Sequence, residues 1–397
     1  MPASNIEVGD IFRSYGPAYR ARYKLRTTAL KVMSALEKCR TAALGGHVDV
    51  CDTCGVVRNS YNSCRNRHCP KCQGLARERW LLARKQELLP VTYFHVVFTI
   101  PDRLNRLALV NQQLVYDILF KAASETLLAL GRDPQHIGAD IGLIAMLHTW
   151  GQNLRDHPHV HCIVPGGGLS QDGQRWIFPR QAKADKPFFI HVNVLSDLFK
   201  KKFLHYLNKA YNNGELKLVG EIDSLGSPPA FQQLMDKLYS IKWVSYCKRP
   251  FGGPKQVMEY LGRYTHRVAI SNYRIQTMAA GKVSFKWRDY RDNNREKLMT
   301  LEAFEFIRRF LLHVLPKGYC KIRYYGLLSS RHKSSKLKRS REALCVANHD
   351  EAATEPGFDW ADLIFQLTGK DPRLCPECGQ GRMVRLKMLP AISHAPP

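Results

Sequence analysis

Along residues 11–45 the apolar positions Leu25, Ala29, Leu30, Met33 and Leu36 recur near helical spacing, and Gly45 and Gly46 supply a stop. "QGLARERWLLARKQELLP" has the pattern of an amphipathic helix ended by Pro90. "VTYFHVVFTIP" is β-branched and aromatic, which predicts a buried strand, and a long helix is expected over 103–130. "IGLIAMLHTW" and "HVHCIVPGG" are two more apolar strands, and the Asp-Gly of "SQDGQRWIF" marks a hairpin turn. Helical spacing returns at 194–212 and 230–240, then in "GGPKQVMEYLGRYTH", which Pro254 opens and which runs to about Arg263. "RVAISNYRI", "GKVSFKWRDY" and "REKLMTL" predict a strand meander, followed by a helix at 302–314 and a strand in "CKIRYYGLL". Strands and helices mixed in this order predict an α+β fold flanked by small metal modules.

Composition adds a partner. The 397 residues hold 60 Lys and Arg against 34 Asp and Glu, a net charge of +26, so a polyanion is the expected ligand. Nucleic acid is the commonest, and an anionic membrane surface is the rival. No apolar run reaches the roughly 18 residues of a membrane span, and "MPASNIEVGDIFRSYG" lacks the layout of a signal peptide. The segment 329–341, "SSRHKSSKLKRSR", is almost wholly polar and reads as an exposed basic linker that adds salt-dependent affinity. The expected units are a helical and zinc-binding module over 1–90, a catalytic domain over 91–328, and the linker with a small CxxC unit over 329–397.

The cysteines cluster as metal ligands do in a reducing compartment, which places the protein in the cytoplasm. Cys51-x2-Cys54 and Cys69-x2-Cys72 stand 14 residues apart, so the expectation is one tetrahedral structural zinc held by those four thiolates. Cys64 and His68 are alternates for one position. Arg65, Arg67 and Lys71 surround the site with cations suited to phosphate. Cys375 and Cys378 are half of a second site, which Cys345 and His349 could complete.

"DHPHVHCIVPGGG" puts His157, His159 and His161 at alternate positions. On a strand, His159 and His161 share a face and can share a cation, while Val160 and Cys162 face the core. The third ligand is expected to be His148, brought alongside by the turn in "TWGQNLRDHP"; His157 is the rival, with Pro158 disturbing its alternation. Two chemistries use such a pair. "HPHVHCIV" approximates the histidine-triad nucleotide hydrolases, although proline fits poorly there. As His-hydrophobe-His it matches the metal motif of HUH endonucleases, which also need a tyrosine nucleophile on a helix. "MEYLGRYTHR" offers Tyr260 and Tyr264 on one helix face, roughly 5–6 Å apart at Cβ, with Lys255, Arg263, His266 and Arg267 nearby.

In this order, "SCRNRHCPKC", "HPHVHCIVPGGG" and "YLGRYTHRVAIS" resemble the two-tyrosine HUH transposases of the insertion-sequence ninety-one family, over about residues 10–330. The resemblance implies an HUH domain, an antiparallel sheet with packed helices, preceded by a zinc-binding DNA module. It implies His159 and His161 as ligands of Mg²⁺ or Mn²⁺. Tyr260 and Tyr264 become nucleophiles that cut single-stranded DNA at element ends and target through a 5′-phosphotyrosine. The imidazole donors themselves lean towards Mn²⁺. No GxxxxGK[ST] element is present, and no nucleotide cofactor is expected. A rolling-circle replication initiator would share this chemistry, and a non-catalytic zinc-dependent DNA-binding protein is the alternative from another class. For DNA contact, "SFKWRDYR" alternates Phe285 and Trp287 with Lys286 and Arg288, one face aromatic and one cationic. Gly166–Gly168 are a plain turn, or backbone donors for a phosphate.

Overall fold

The computed structural model describes residues 6–179, 189–251, 256–257, 262, 268–289, 292–345 and 359–392. Helices α1 (Val8–Arg22) and α2 (Thr27–Lys38) come first, then strands β1 (Gly46–Cys51) and β2 (Val57–Tyr61) and helix α3 (Pro70–Lys85). Strand β3 (Tyr93–Thr99), helices α4 (Asn105–Val110) and α5 (Gln112–Arg132), and strands β4 (Gly142–Trp150) and β5 (Asp156–Pro165) follow. A short hairpin of β6 (Gly168–Leu169) and β7 (Trp176–Ile177) leads to α6 (Val192–Asn212), α7 (Pro228–Ser240) and β8 (Ser245–Phe251). The meander β9 (Ile275–Ala279), β10 (Lys282–Asp289) and β11 (Arg295–Glu302) precedes α8 (Ala303–Leu312) and β12 (Ile322–Gly326). Last are α9 (Lys333–Ala343), α10 (Trp360–Thr368) and β13 (Met383–Leu389).

The fold is α+β. A five-stranded sheet in the order β12-β4-β5-β3-β8 has every neighbouring pair antiparallel, with the β4–β5 hairpin in its interior. Successive side chains alternate between faces. Leu143, Ala145 and Leu147 of β4, Val160, Cys162 and Val164 of β5, and Phe94, Val96 and Phe98 of β3 form one face. They join α5 and α6 in the main core, with Leu119, Phe120, Phe199 and Phe203 fully buried. Each of these large side chains contributes about 2–3 kcal/mol of burial, so this side of the sheet is fixed by packing. The opposite face carries Ile144, Met146 and His148, and His159, His161 and Ile163.

A second core joins α1 and α2 to α8 and the meander through Phe12, Met33, Phe285, Phe306 and Phe310. The single helix expected over 11–45 is two, because Tyr23 is extended and turns the chain, letting both helices bury their apolar faces against each other. The helix expected over 103–130 also breaks, at Asn111. Its amide donates to the carbonyls of Leu107 and Lys217 and accepts from the Lys217 N–H. The segment 329–341 is not an exposed linker: α9 buries Leu337, pairs Lys333 with Glu87, and donates from Arg341 to the Gln86 carbonyl. Its one buried leucine, set among ion pairs, is too sparse a signal for a periodicity reading. No helix among the described residues is long and apolar enough to cross a membrane.

Candidate functional site

The register of β4 and β5 assembles the histidines. His148 lies directly opposite His159, and His161 lies opposite Met146 on the same face. One ring nitrogen from each of His148, His159 and His161 falls within 4.8 Å of the others, and all three residues are buried. The expected trio is therefore brought together by backbone pairing alone. His148 also stacks on Trp150, with ring centroids 4.8 Å apart. His157 touches His159 ring to ring at 4.9 Å but stands outside the trio, and burial holds its imidazole below the usual range.

Hydrogen bonds set which nitrogens can act. His159 Nδ1 lies 2.5 Å from the His157 carbonyl and donates to it, which leaves Nε2 with the lone pair. His161 Nδ1 lies 2.8 Å from Nε2 of His95, a buried residue of β3 set diagonally across from it. His95 is a residue that sequence reading missed. A lone histidine within "VTYFHVVFTIP" looks like core; only its shared face with Tyr93 and Val97 sets it toward the trio. Three imidazoles, two of them with Nδ1 in contact with a neighbour, could hold one divalent cation.

The cysteines form two clusters, and neither is the expected one. Cys51 and Cys54 do not meet Cys69 and Cys72. Cys39, Cys64, Cys69 and Cys72 gather at the end of α2 and the start of α3, while Cys51 and Cys54 gather with Cys375 and Cys378. The cause is the fold: β1 ends at Cys51 and pairs with β13, which draws the distant "CPEC" to it. In the first cluster Sγ–Sγ separations are 3.6 Å for Cys39–Cys72, Cys64–Cys72 and Cys39–Cys69. A tetrahedral zinc with Zn–S of about 2.3 Å has edges of about 3.8 Å, so the donor set fits zinc. The neighbouring S–H groups of Cys64 and Cys69 hold the Cys39 thiol below its usual range. Cys64, an alternate in the sequence reading, is a full member. His68 is not among the gathered donors; burial and the nearby Arg67 hold its imidazole down, to about 3. Cys345 is exposed and is no partner of Cys375; His349 lies outside the described residues.

Two family models match the chain. One described as "Transposase zinc-binding domain" matches residues 11–100, and one described as "Putative transposase" matches 142–336. "Putative transposase y4qJ" of Sinorhizobium fredii is 49% identical over 398 residues, covering 100% of this chain and 98% of that protein. The chain belongs to the insertion-sequence ninety-one transposase family. "Transposase for insertion sequence element IS801" of Pseudomonas savastanoi pv. phaseolicola is 27% identical over 372 residues, covering 91% of this chain and 84% of that one. It is a transposase, a DNA-processing enzyme, and zinc suits its cysteine clusters.

The transposase spends several of the expected DNA-binding cations inside itself. Arg67 donates to the Tyr319 carbonyl at 2.7 Å, and Lys71 pairs with Glu7 at 2.7 Å; Arg65 is exposed. Phe285 is fully buried and Trp287 packs on the same core, so the aromatic face of β10 is not a stacking platform. Lys286 and Arg288 face solvent, Lys286 with Glu296 at 3.0 Å. The N–H groups of Gly166 and Gly167 are already committed to the Thr92 and Pro165 carbonyls, as a turn requires. Tyr260, Arg263, Tyr264 and Arg267 lie outside the described residues. Val257, three positions before Tyr260, is fully buried in the cluster of Ile144, Met146 and Ile163. Gly262, between the tyrosines, has the Leu81 side chain of α3 as its neighbour.

Proposed function

We propose that this transposase cuts and rejoins single-stranded DNA by HUH chemistry, with His148, His159 and His161 holding a divalent cation and Tyr260 or Tyr264 as nucleophile. The observation that carries the reading is the convergence of three buried imidazoles from two paired strands on one sheet face. Val257 supports it, because the segment leading to the tyrosines is anchored among apolar residues of that same face. Three imidazoles suit Mn²⁺ better than Mg²⁺. When bound, the cation polarises the scissile phosphate and offsets its charge.

The tyrosine has a free pKa near 10 and attacks only as its proton is taken up by a base. Its phenolic oxygen bonds to phosphorus, the bond from phosphorus to the 3′ oxygen breaks, and that oxygen leaves as a 3′-hydroxyl after gaining a proton. The product is a 5′-phosphotyrosine. Because one ester replaces another, a 3′-hydroxyl can reverse the step without ATP. A second tyrosine can cut another strand while the first holds its end.

The test mixes the protein with labelled single-stranded DNA covering the element's ends, in Mn²⁺ or Mg²⁺. A covalent adduct that keeps the downstream 5′ end is expected on denaturing gels, and it is expected to vanish in Tyr260→Phe/Tyr264→Phe. An adduct that persists in the double variant refutes the assignment. Tight DNA binding with no adduct in either metal favours a non-catalytic binding protein.

In this reading His95 serves as a positioning residue: with its Nε2 accepting from His161 Nδ1–H, His161 keeps its Nε2 lone pair for the cation. His95→Ala is expected to raise the Mn²⁺ concentration for half-maximal cleavage about 10–100-fold, with much of the rate returning at saturating metal. A purely structural role for His95 predicts a rate loss that added Mn²⁺ does not restore.

A further inference from the structure

The segments Cys51–Gly55 and Cys375–Gly379 are built alike. Each is Cys-x-x-Cys-Gly with the glycine in the left-handed region, φ +72° at Gly55 and +69° at Gly379. In each, the glycine N–H donates to the carbonyl of the first cysteine, at 3.1 Å and 2.9 Å. One sulfur at each turn also faces a backbone N–H at 3.4 Å, at different positions: Cys51 Sγ, the first cysteine, faces the Cys54 N–H, and Cys378 Sγ, the second, faces the N–H of Gly381 just beyond its turn. Such donors stabilise thiolates rather than thiols. Across the two turns the Sγ–Sγ separations are 3.7 Å for both Cys51–Cys378 and Cys54–Cys375. That is far beyond a disulfide bond of about 2.05 Å and close to the edge of about 3.8 Å of a zinc tetrathiolate.

The surroundings hold the two turns in register. β1 pairs with β13 from Gly46–Leu389 to Cys51–Met383, and Asp52 exchanges bonds with Arg382 through its N–H at 3.1 Å and its carboxylate at 2.8 Å. A Cβ on Gly381 would stand 2.4 Å from Cys51 Sγ, so only glycine lets the second turn approach the first sulfur. Yet β13 has little apolar burial to keep it there. Val384, Leu386 and Met388 are all more than half exposed, and a three-stranded sheet with so little core needs another tie.

We propose that Cys51, Cys54, Cys375 and Cys378 hold a second zinc ion, separate from that of Cys39, Cys64, Cys69 and Cys72. This ion clips residues 371–389 onto β1, so the zinc-binding module is assembled from segments more than 300 positions apart. The family match to zinc binding ends at residue 100, where only half of these donors have appeared.

Cobalt(II) replaces zinc and reports thiolate ligands by sulfur-to-metal charge-transfer absorption, which imidazoles do not produce. In the full-length protein, freed of metal and titrated with Co²⁺, that absorption is expected to rise through two equivalents. In Cys375→Ser/Cys378→Ser it is expected to halve, with the remaining cluster as an internal control on folding. Gly381→Ala keeps all eight cluster cysteines and is expected to weaken only one of the two equivalents. Saturation at one equivalent in the wild-type chain overturns the proposal. So does full absorption in the double variant, or mass spectrometry of the zinc-loaded protein finding these four sulfurs paired as disulfides.

Discussion

His161→Ala is expected to lower metal-dependent cleavage of single-stranded DNA by at least about a thousand-fold, on the order of 4 kcal/mol of transition-state stabilisation. His161 is the hub of the imidazole cluster. It lies on β5 between β4 and β3, its ring centroid is 4.5 Å from that of His148 and 4.8 Å from that of His159, and it bonds to His95. Removing it takes away one donor and leaves His95 without that partner. The cost to folding is smaller, because α5 and α6 pack on the other face of the sheet and no apolar side chain is lost. A melting temperature within a few degrees of wild type, together with the lost rate, is the expected pair of results. His157→Ala is the control: its ring lies beside the trio but not in it, so a several-fold loss at most is expected. A His161→Ala rate within tenfold of wild type, or equal losses at His157 and His161, would sink the assignment of the cation to these residues.

Much of that trio was legible because strand alternation is local. His159 and His161 fall on one face from their spacing alone, and the short loop after Trp150 all but dictates the hairpin that returns His148. What spacing does not encode is contact between distant segments. Cys51–Cys54 and Cys69–Cys72 look like one site because they are near in sequence, but the chain between Cys54 and Cys375 folds so that β13 returns to β1. Cys39, which completes the first cluster, stands alone at the end of α2 with no neighbouring cysteine to mark it. His95 was hidden for a related reason: it is one polar position in an apolar strand, and its partner sits on another strand. α9 was misread because lysines and arginines dominate it, while the acceptors that hold it, Glu87 and the Gln86 carbonyl, are more than 240 positions away. β10, β11 and the α+β class needed none of this, since alternation and helical spacing set them locally, but the strand expected in "RVAISNYRI" is displaced: Asn272–Arg274 form a 3-10 turn and β9 begins only at Ile275.

Cys69→Ser is expected to cost the N-terminal module its folded state, the largest stability effect we anticipate. Cys69 caps the start of α3 and is nearly fully buried, and with Cys39 it belongs to the same apolar cluster as Val8, Phe12, Met33 and Phe310. A zinc ion held there would tie the end of α2 and the start of α3 to the core that α1, α2 and α8 share. A structural zinc tetrathiolate contributes on the order of 10 kcal/mol to folding at neutral pH, and one serine weakens it enough to lose several kcal/mol. At roughly 2–4 °C per kcal/mol for a domain of about 150–250 residues, a fall of 10 °C or more in melting temperature is expected, or a separate early transition. Hydrogen exchange should show residues 8–39 and 64–85 losing protection first, with α5 and α6 retaining theirs. Cys345→Ser is the matched control, since that thiol is exposed and belongs to neither cluster. A chelator acting on the wild-type protein should reproduce the loss, and zinc should reverse it. A Cys69→Ser melting temperature within about 2 °C of the Cys345→Ser value would mean that hydrophobic packing alone holds the module, and that the first cluster is dispensable for the fold.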